Sequence, residues 1–300
     1  MRTFALSALL IAGCTTSEDV KDWQGYGVGQ PGFGLVHGGQ VFYELIHAPN
    51  GDIAQINGWA RTFSPDPEPA ATVPIPKIPP MTCQDISTAV FPRPPAEGSN
   101  FVDLGAEITL TTGSQVLRAP QTANFVDNLQ FGIPMGYQLQ PFDPLTVVHE
   151  AVYEVAFNGS DKLTPNTMFF SPIFTINSPP IGKAPVQFTH GQGLDISWDP
   201  VNQVTTAYQK PDQTFPFVII LSMPSPTTGQ TKWFCPMNDG QIHDSFTIPP
   251  EVVDALPPAG ILVMGQQTHM QAAFESPDGV KRRFDLITIE CNRSPFSFTP

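Results

Sequence analysis

Prolines recur through this chain at roughly one residue in nine, 34 in 300 residues, from Pro31 to Pro300. Each removes a backbone donor and fixes φ, so regular elements are interrupted every few residues. Such punctuation rules out a coiled coil or a long helical bundle and suits short strands joined by turns. The prolines do not mark a disordered segment, because 41% of residues are hydrophobic and 22 are Phe. That is enough to fill one or two cores of about 100 to 150 residues each. Only 14 Lys and Arg stand against 27 Asp and Glu. An acidic body is repelled by nucleic acid and by anionic lipid headgroups, so no nucleic-acid partner is expected.

The N-terminus carries one positive charge at Arg2, an apolar run from Phe4 to Ile11, and two small residues, Ala12 and Gly13, before Cys14. The run is too short to cross a hydrocarbon core of about 30 Å as a helix, so residues 1–13 read as a signal peptide. Their ending, Leu10-Ile11-Ala12-Gly13-Cys14, resembles the lipobox of bacterial lipoproteins. The resemblance implies cleavage before Cys14, diacylglycerol on its thiol and acylation of the new amino group. Several acyl chains, at about 0.8 kcal/mol per buried methylene, anchor a protein without a spanning helix. Thr15 stands where an Asp would resemble an inner-membrane retention signal, so the outer membrane is the expected destination. The alternatives for residues 1–13 are an ordinary secretory signal or a buried apolar strand. Loss of Arg2 leaves 13 basic and 27 acidic residues, a net charge of -14. The acyl chains on Cys14 are therefore the expected membrane contact. Residues 14–35, with Gly25, Gly27, Gly29, Gly32 and Gly34, hold no sustained period and read as a flexible tether.

From Gln40 onward, short apolar or alternating runs are bounded by Pro, Gly, Asn and Asp: Gln40 to Ile46, Ala106 to Leu110, Val147 to Phe157, Leu194 to Trp198, Phe217 to Leu221, Ile261 to Met264 and Phe284 to Glu290. In the last of these, Phe284, Leu286 and Thr288 fall on one face and Ile287 and Ile289 on the other, the period of a strand. One helix of one to two turns is expected over Ile248 to Pro257, with Pro250 in its first turn and Glu251 facing its dipole. No βαβ alternation occurs. The fold class expected is all-β, two antiparallel Ig-like or fibronectin-like sandwiches. The Pro/Gly-rich stretch from Asn177 to Lys183 suggests a boundary, giving domains at 36–178 and 181–300. Leu194-Asp195-Ile196-Ser197-Trp198 should send the Trp198 ring into a core, and the prolines from Pro65 to Pro80 favour an extended loop.

The order of landmarks carries a further likeness. Leu104 to Leu110, Tyr153 to Gly159, Leu194 to Trp198, Phe234-Cys235 with Asp239-Gly240, Phe246 to Pro249 and Ala255-Leu256-Pro257 together resemble uncharacterised surface lipoproteins of myxobacterial type. The resemblance spans most of the chain through loose motifs. It implies a lipobox, a tether and two β-sandwich domains, and it supplies no catalytic residue.

With Cys14 assigned to lipid, Cys83, Cys235 and Cys291 remain, an odd number for an oxidising compartment. Cys235 and Cys291 end strand-like runs and form the best single disulfide pairing; the alternative is small buried apolar thiols. Cys83 could pair elsewhere or stay free. The six histidines are scattered. His149 and Glu150 are adjacent and would face opposite sides of a strand, so neither they nor Glu154 read as a metal site. His190-Gly191-Gln192-Gly193 has glycines around a His rather than a Ser, and no G-x-S-x-G elbow occurs. Asn238-Asp239-Gly240 with Asp244 has oxygens suited to calcium, but reads first as a turn. Trp23, Trp59, Trp198 and Trp233 could line a sugar-binding platform, though aromatics at strand spacing usually belong to a core. No metal, cofactor or catalytic constellation is expected.

The expectation is a non-enzymatic, outer-membrane-anchored lipoprotein with a structural, adhesive or protein-binding role. Its rivals are a carbohydrate-binding module or hydrolase using loops at a sandwich end, and a subunit of an envelope assembly presenting an open sheet edge or apolar patch.

Overall fold

The computed structural model describes residues 36–47, 53–62, 78–86, 103–113, 115–126, 132–139, 147–148, 151–159, 161–162, 166–170, 174–181, 184–199, 214–222, 232–237, 243–275 and 277–299. The expected signal peptide, tether and most of the Pro-rich loop, residues 63–77, lie outside the described residues. The strands are β1 (Val36–His47), β2 (Ile53–Thr62), β3 (Gln84–Asp85), β4 (Glu107–Thr112), β5 (Gln115–Val126), β6 (Gly132–Gln138), β7 (Ala151–Phe157), β8 (Asp161–Lys162) and β9 (Thr167–Phe170). They continue as β10 (Ile176–Ser178), β11 (Val186–Phe188), β12 (Leu194–Trp198), β13 (Thr214–Ser222), β14 (Lys232–Pro236), β15 (Ser245–Ile248), β16 (Ala259–Glu275) and β17 (Lys281–Phe298). The helix α1 (Pro250–Asp254) sits where the sequence places one, with Pro250 in the first turn and Glu251 beside it. The all-β class is therefore present in the structure. No helix among the described residues is long and apolar enough to cross a membrane.

The spine is a hairpin far longer than the runs that announce it. β16 and β17 are 17 and 18 residues long and stay in antiparallel register from Ala259↔Ser297 to Glu275↔Lys281. β1 lies parallel to β17 on its other side, and β2 pairs antiparallel with β1. The main sheet runs β3-β14-β13-β16-β17-β1-β2-β6-β5-β4-β7-β9, with β11 and β8 attached to β17 and β16. β5 turns this sheet over on itself. Its first half pairs with β4 up to Glu107↔Pro120, and its second half pairs with β6 from Gln121↔Tyr137. At Pro120, which has no N–H to donate, the strand passes from one ladder to the other.

Two layers of strands cover one face of this spine. β4, β7 and β9 pack over its lower half. Phe157 meets Phe274 and Phe284 at ring distances of 4.3 and 4.9 Å, and Tyr43 meets Phe170 at 5.9 Å. Leu45, Ile108, Leu110, Val155 and Leu286 complete a core there. The separate sheet β10-β12-β15 covers the upper half, placing Ile196, Trp198, Phe246 and Ile248 against Val218, Ile220, Leu262, Met264 and Phe296. The Trp198 ring is buried as its alternation demands. Each fully buried aromatic or aliphatic side chain contributes about 1.5–3 kcal/mol relative to exposure, so these two cores hold the layers together.

Strands on either side of residues 178–181 are hydrogen-bonded neighbours: β1 with β17, and β3 with β14. The halves expected as separate sandwiches thus share one ladder. The physical reason is strand length, because β16 and β17 run through both cores.

Candidate functional site

A belt of buried polar side chains crosses β1, β17 and β16 between the two cores. Residues 41–47, 262–268 and 286–292 are buried without interruption, so both faces of the spine are covered there. Pairing registers assign the faces. Thr268 and Thr288, Gln266 and Glu290, then Asn292 with His47, point toward the covering layers; Gln267, Glu44, Cys291 and Arg293 point to the other side. Such a run reads as a sheet interior, yet it carries an Arg293–Glu44 ion pair and a buried His47–Glu290 contact, polar groups that require partners to offset lost hydration.

On the first face, His47 Nε2 lies 3.3 Å from Glu290 Oε2, both side chains without solvent exposure. Asn292 Nδ2 donates to the Phe174 carbonyl at 2.9 Å, tying the belt to the chain entering β10. On the second face, Arg293 Nη2 donates to Glu44 Oε1 at 2.6 Å, and the Cys291 thiol donates to the same oxygen at 3.6 Å. Burial pushes the Cys291 thiol well above its usual range, and the Glu44 carboxylate adds to the effect. A protonated, buried thiol is neither a nucleophile nor a metal ligand at neutral pH. Burial pulls the Arg293 guanidinium downward, but Glu44 and then Cys291 outweigh it and hold the guanidinium above its ordinary value. Gly265 lets this face close: a Cβ there would sit 2.3 Å from the Glu290 carbonyl oxygen and 2.7 Å from Cys291 Cβ. Gln267 is fully buried, and neither amide atom finds a hydrogen-bond partner among the described residues.

The disulfide differs from the expected pairing of Cys235 with Cys291. Cys83 bonds to Cys235, with Cα atoms 4.2 Å apart, and Cys291 is a buried free thiol. The register Gln84↔Phe234, carried one step back, sets Cys83 directly opposite Cys235. Cys235 is three strands from β17, about 14 Å at ordinary strand spacing. Its row, Cys235, Val218, Met264 and Asn292, also points to the opposite face from Cys291. Distance and facing both forbid the expected bond.

At the surface, Asp254 Oδ1 accepts the Gly191 N–H at 2.8 Å and lies 3.2 Å from His190 Nδ1. The Gly191 N–H holds the Asp254 carboxyl below its usual range, and His190 adds to this. The His190 ring stacks on Phe298 at 4.2 Å. These contacts fasten α1 and the turn before β12 to the end of β17.

The remaining sequence candidates disperse. Cys14, His149, Glu150, Trp23 and Asn238-Asp239-Gly240 lie outside the described residues. Glu154 is exposed on β7. Asp244 receives the Ser245 hydroxyl at 2.9 Å and gives its carbonyl to the Trp198 N–H. Trp198 is core and Trp233 packs half-buried against it, so neither serves an open platform. Among the described residues, no three His, Cys, Asp or Glu side chains group to hold a metal ion. The belt was missed because its partners are 247 residues apart in Glu44 and Cys291 and belong to separate runs. Its one local signal is a carboxylate inside an apolar strand, as in Tyr43-Glu44-Leu45 and Ile289-Glu290-Cys291.

No protein-family model, no curated protein and no solved structure matches this chain.

Proposed function

We propose that this protein is exported, lipidated at Cys14 and held at the outer membrane, where its body has a structural, adhesive or protein-binding role without catalysis. The observation that carries the reading is the Cys83–Cys235 disulfide, which joins residues 152 apart in sequence. A structural disulfide of this kind persists in an oxidising compartment such as the periplasm or cell surface. The lipobox-like Leu10 to Cys14 supplies the route there and the anchor. In this reading the two covered halves of the spine correspond to the two Ig-like β-sandwiches implied by the resemblance to myxobacterial-type surface lipoproteins, joined through a shared ladder. The Glu44–Arg293 and His47–Glu290 contacts support a structural role, because all four side chains join β1 to β17.

Growth with radioactive palmitate tests the anchor. The native chain should take up label and sediment with membranes, whereas Cys14→Ala should do neither. Equal absence of label in both would sink the anchored reading, and free Cys83 and Cys235 thiols in protein taken directly from cells would sink export.

A further inference from the structure

We propose that β1 and β17 form a shear clamp carrying tension between the membrane-side end of the chain and the opposite end of the long ladder. The inference rests on the anchored reading, since an anchor at Cys14 delivers force to the start of β1.

Strand direction is the first observation. β1 and β17 are parallel, paired from Val36↔Arg282 to His47↔Asn292 with one bulge between His37 and Gly39, and in continuous register from Gly39↔Phe284 onward. The start of β1 therefore lies at one end of the ladder, and the end of β17, at Phe298, lies at the other. Tension between those points slides the strands along their axes and loads the evenly spaced hydrogen bonds of a parallel pair together. They must fail together rather than one by one.

The second observation is position. β1 is held on both sides, by β17 and by β2 from Gly39↔Thr62 to His47↔Ile53. It is the link between β17 and β2 in the strand order, so pulling it out divides the main sheet.

Register is the third. Both faces of residues 41–47 are buried, so apolar patterning alone discriminates poorly against a one-residue slip. The buried pairs supply that discrimination, one on each face: Glu44 with Arg293 and His47 with Glu290. Both cross from β1 to β17. Any slip parts them, and separating the buried Glu44 carboxylate from the Arg293 guanidinium is strongly unfavourable.

Single-molecule force spectroscopy on the full-length chain carrying Cys14→Ala, with its disulfide intact, tests the clamp. In one arrangement the handles are at the two chain ends. In the other, one handle moves to Pro277→Cys in the exposed turn where β16 meets β17, beside the Glu275↔Lys281 pair and at the same end of the ladder as Val36. The first geometry shears the β1/β17 pair and the second peels it. Forced unfolding is governed by the unfolding rate along the pulled direction, so the first should need several-fold more force. Equal forces, or a stronger second geometry, would overturn the clamp. Glu44→Gln should lower the force in the first geometry and leave the second nearly unchanged; an unchanged first force would remove the buried pairs from the proposal. If that variant does not fold, the two geometries of the parent chain still decide. Neither measurement involves lipid, so an unlabelled Cys14 sinks the anchor alone and equal forces sink the clamp alone.

Discussion

Tyr43, Tyr137 and Tyr153 stand in the lower core with their rings buried and their hydroxyls treated differently. Tyr137 accepts the Leu104 N–H at 2.9 Å and donates to the Gly105 carbonyl at 3.0 Å, so one phenol closes two backbone groups 32 and 33 residues away. Tyr153 accepts the Val148 N–H at 2.9 Å. The Tyr43 hydroxyl is buried without a hydrogen-bond partner among the described residues. Burial raises all three phenols, Tyr137 to about 12, with the Leu104 N–H opposing the rise there and the Val148 N–H opposing it in Tyr153. Each phenol holds its proton more tightly folded than unfolded, so above pH about 10 the folded chain binds more protons and stability falls as pH rises. The contribution is complete below the ordinary tyrosine range and is lost as pH passes through about 12 for Tyr137. From Tyr137 alone the loss between those limits is about 2–3 kcal/mol. Urea midpoints at stepped alkaline pH, with phenolate absorbance followed in parallel, check this. The phenolates of Tyr43, Tyr137 and Tyr153 should appear only in proportion to unfolding; full titration of all five tyrosines before unfolding would contradict it.

At the scale of elements, the central hairpin depends on how closely β16 and β17 approach at Gly265. Gly265→Ala would place a methyl group against the Glu290 carbonyl, a backbone atom that moves only if the strands part. The expected cost is about 3 kcal/mol or more, read from the urea midpoint, because overpacking against backbone cannot relax by a change of rotamer. An unaltered midpoint would show that the strands separate there without penalty. The same hairpin marks where sequence reading succeeds and where it stops. Much of Phe284 to Glu290 alternates and reads as a strand, and Pro250-Glu251 announces α1. The full extent of β16 does not show, because Gln266-Gln267-Thr268-His269 lacks the apolar alternation that a half-buried strand displays. β17 likewise runs beyond Glu290, where the alternating run ends, and continues through Pro295 opposite Ile261. Burial of both faces erases the period-two signal, and only the pairing of distant strands reveals it. Cys83 shows the same limit: its partner is set by the register of a two-residue strand that no local pattern announces.

For the whole molecule, the consequence of a shared ladder is cooperativity. The lower core contains Tyr43, Tyr137 and Tyr153, and the upper core contains Trp198 with Trp233 against it. Independent sandwiches would let tyrosine and tryptophan signals report separate transitions. Here β16 and β17 contribute to both cores, with Ala272, Phe274, Phe284 and Leu286 in one and Leu262, Met264 and Phe296 in the other. Loss of either covering layer strips buried apolar surface from strands that the other layer needs. Tyrosine absorbance and tryptophan fluorescence should therefore follow one coincident urea transition. A chain of residues 181–300 alone would retain β11 to β17 but lose β1 from the edge of β17, uncovering Ile287 and Ile289 and removing Glu44 from Arg293. An exposed apolar strand edge of that length invites association between chains. The isolated segment should aggregate or unfold without a cooperative transition, whereas the intact body unfolds in one step. A soluble 181–300 segment with a sharp tryptophan transition matching that of the intact chain would show that the upper half folds alone, and that the shared strands join the halves without coupling them.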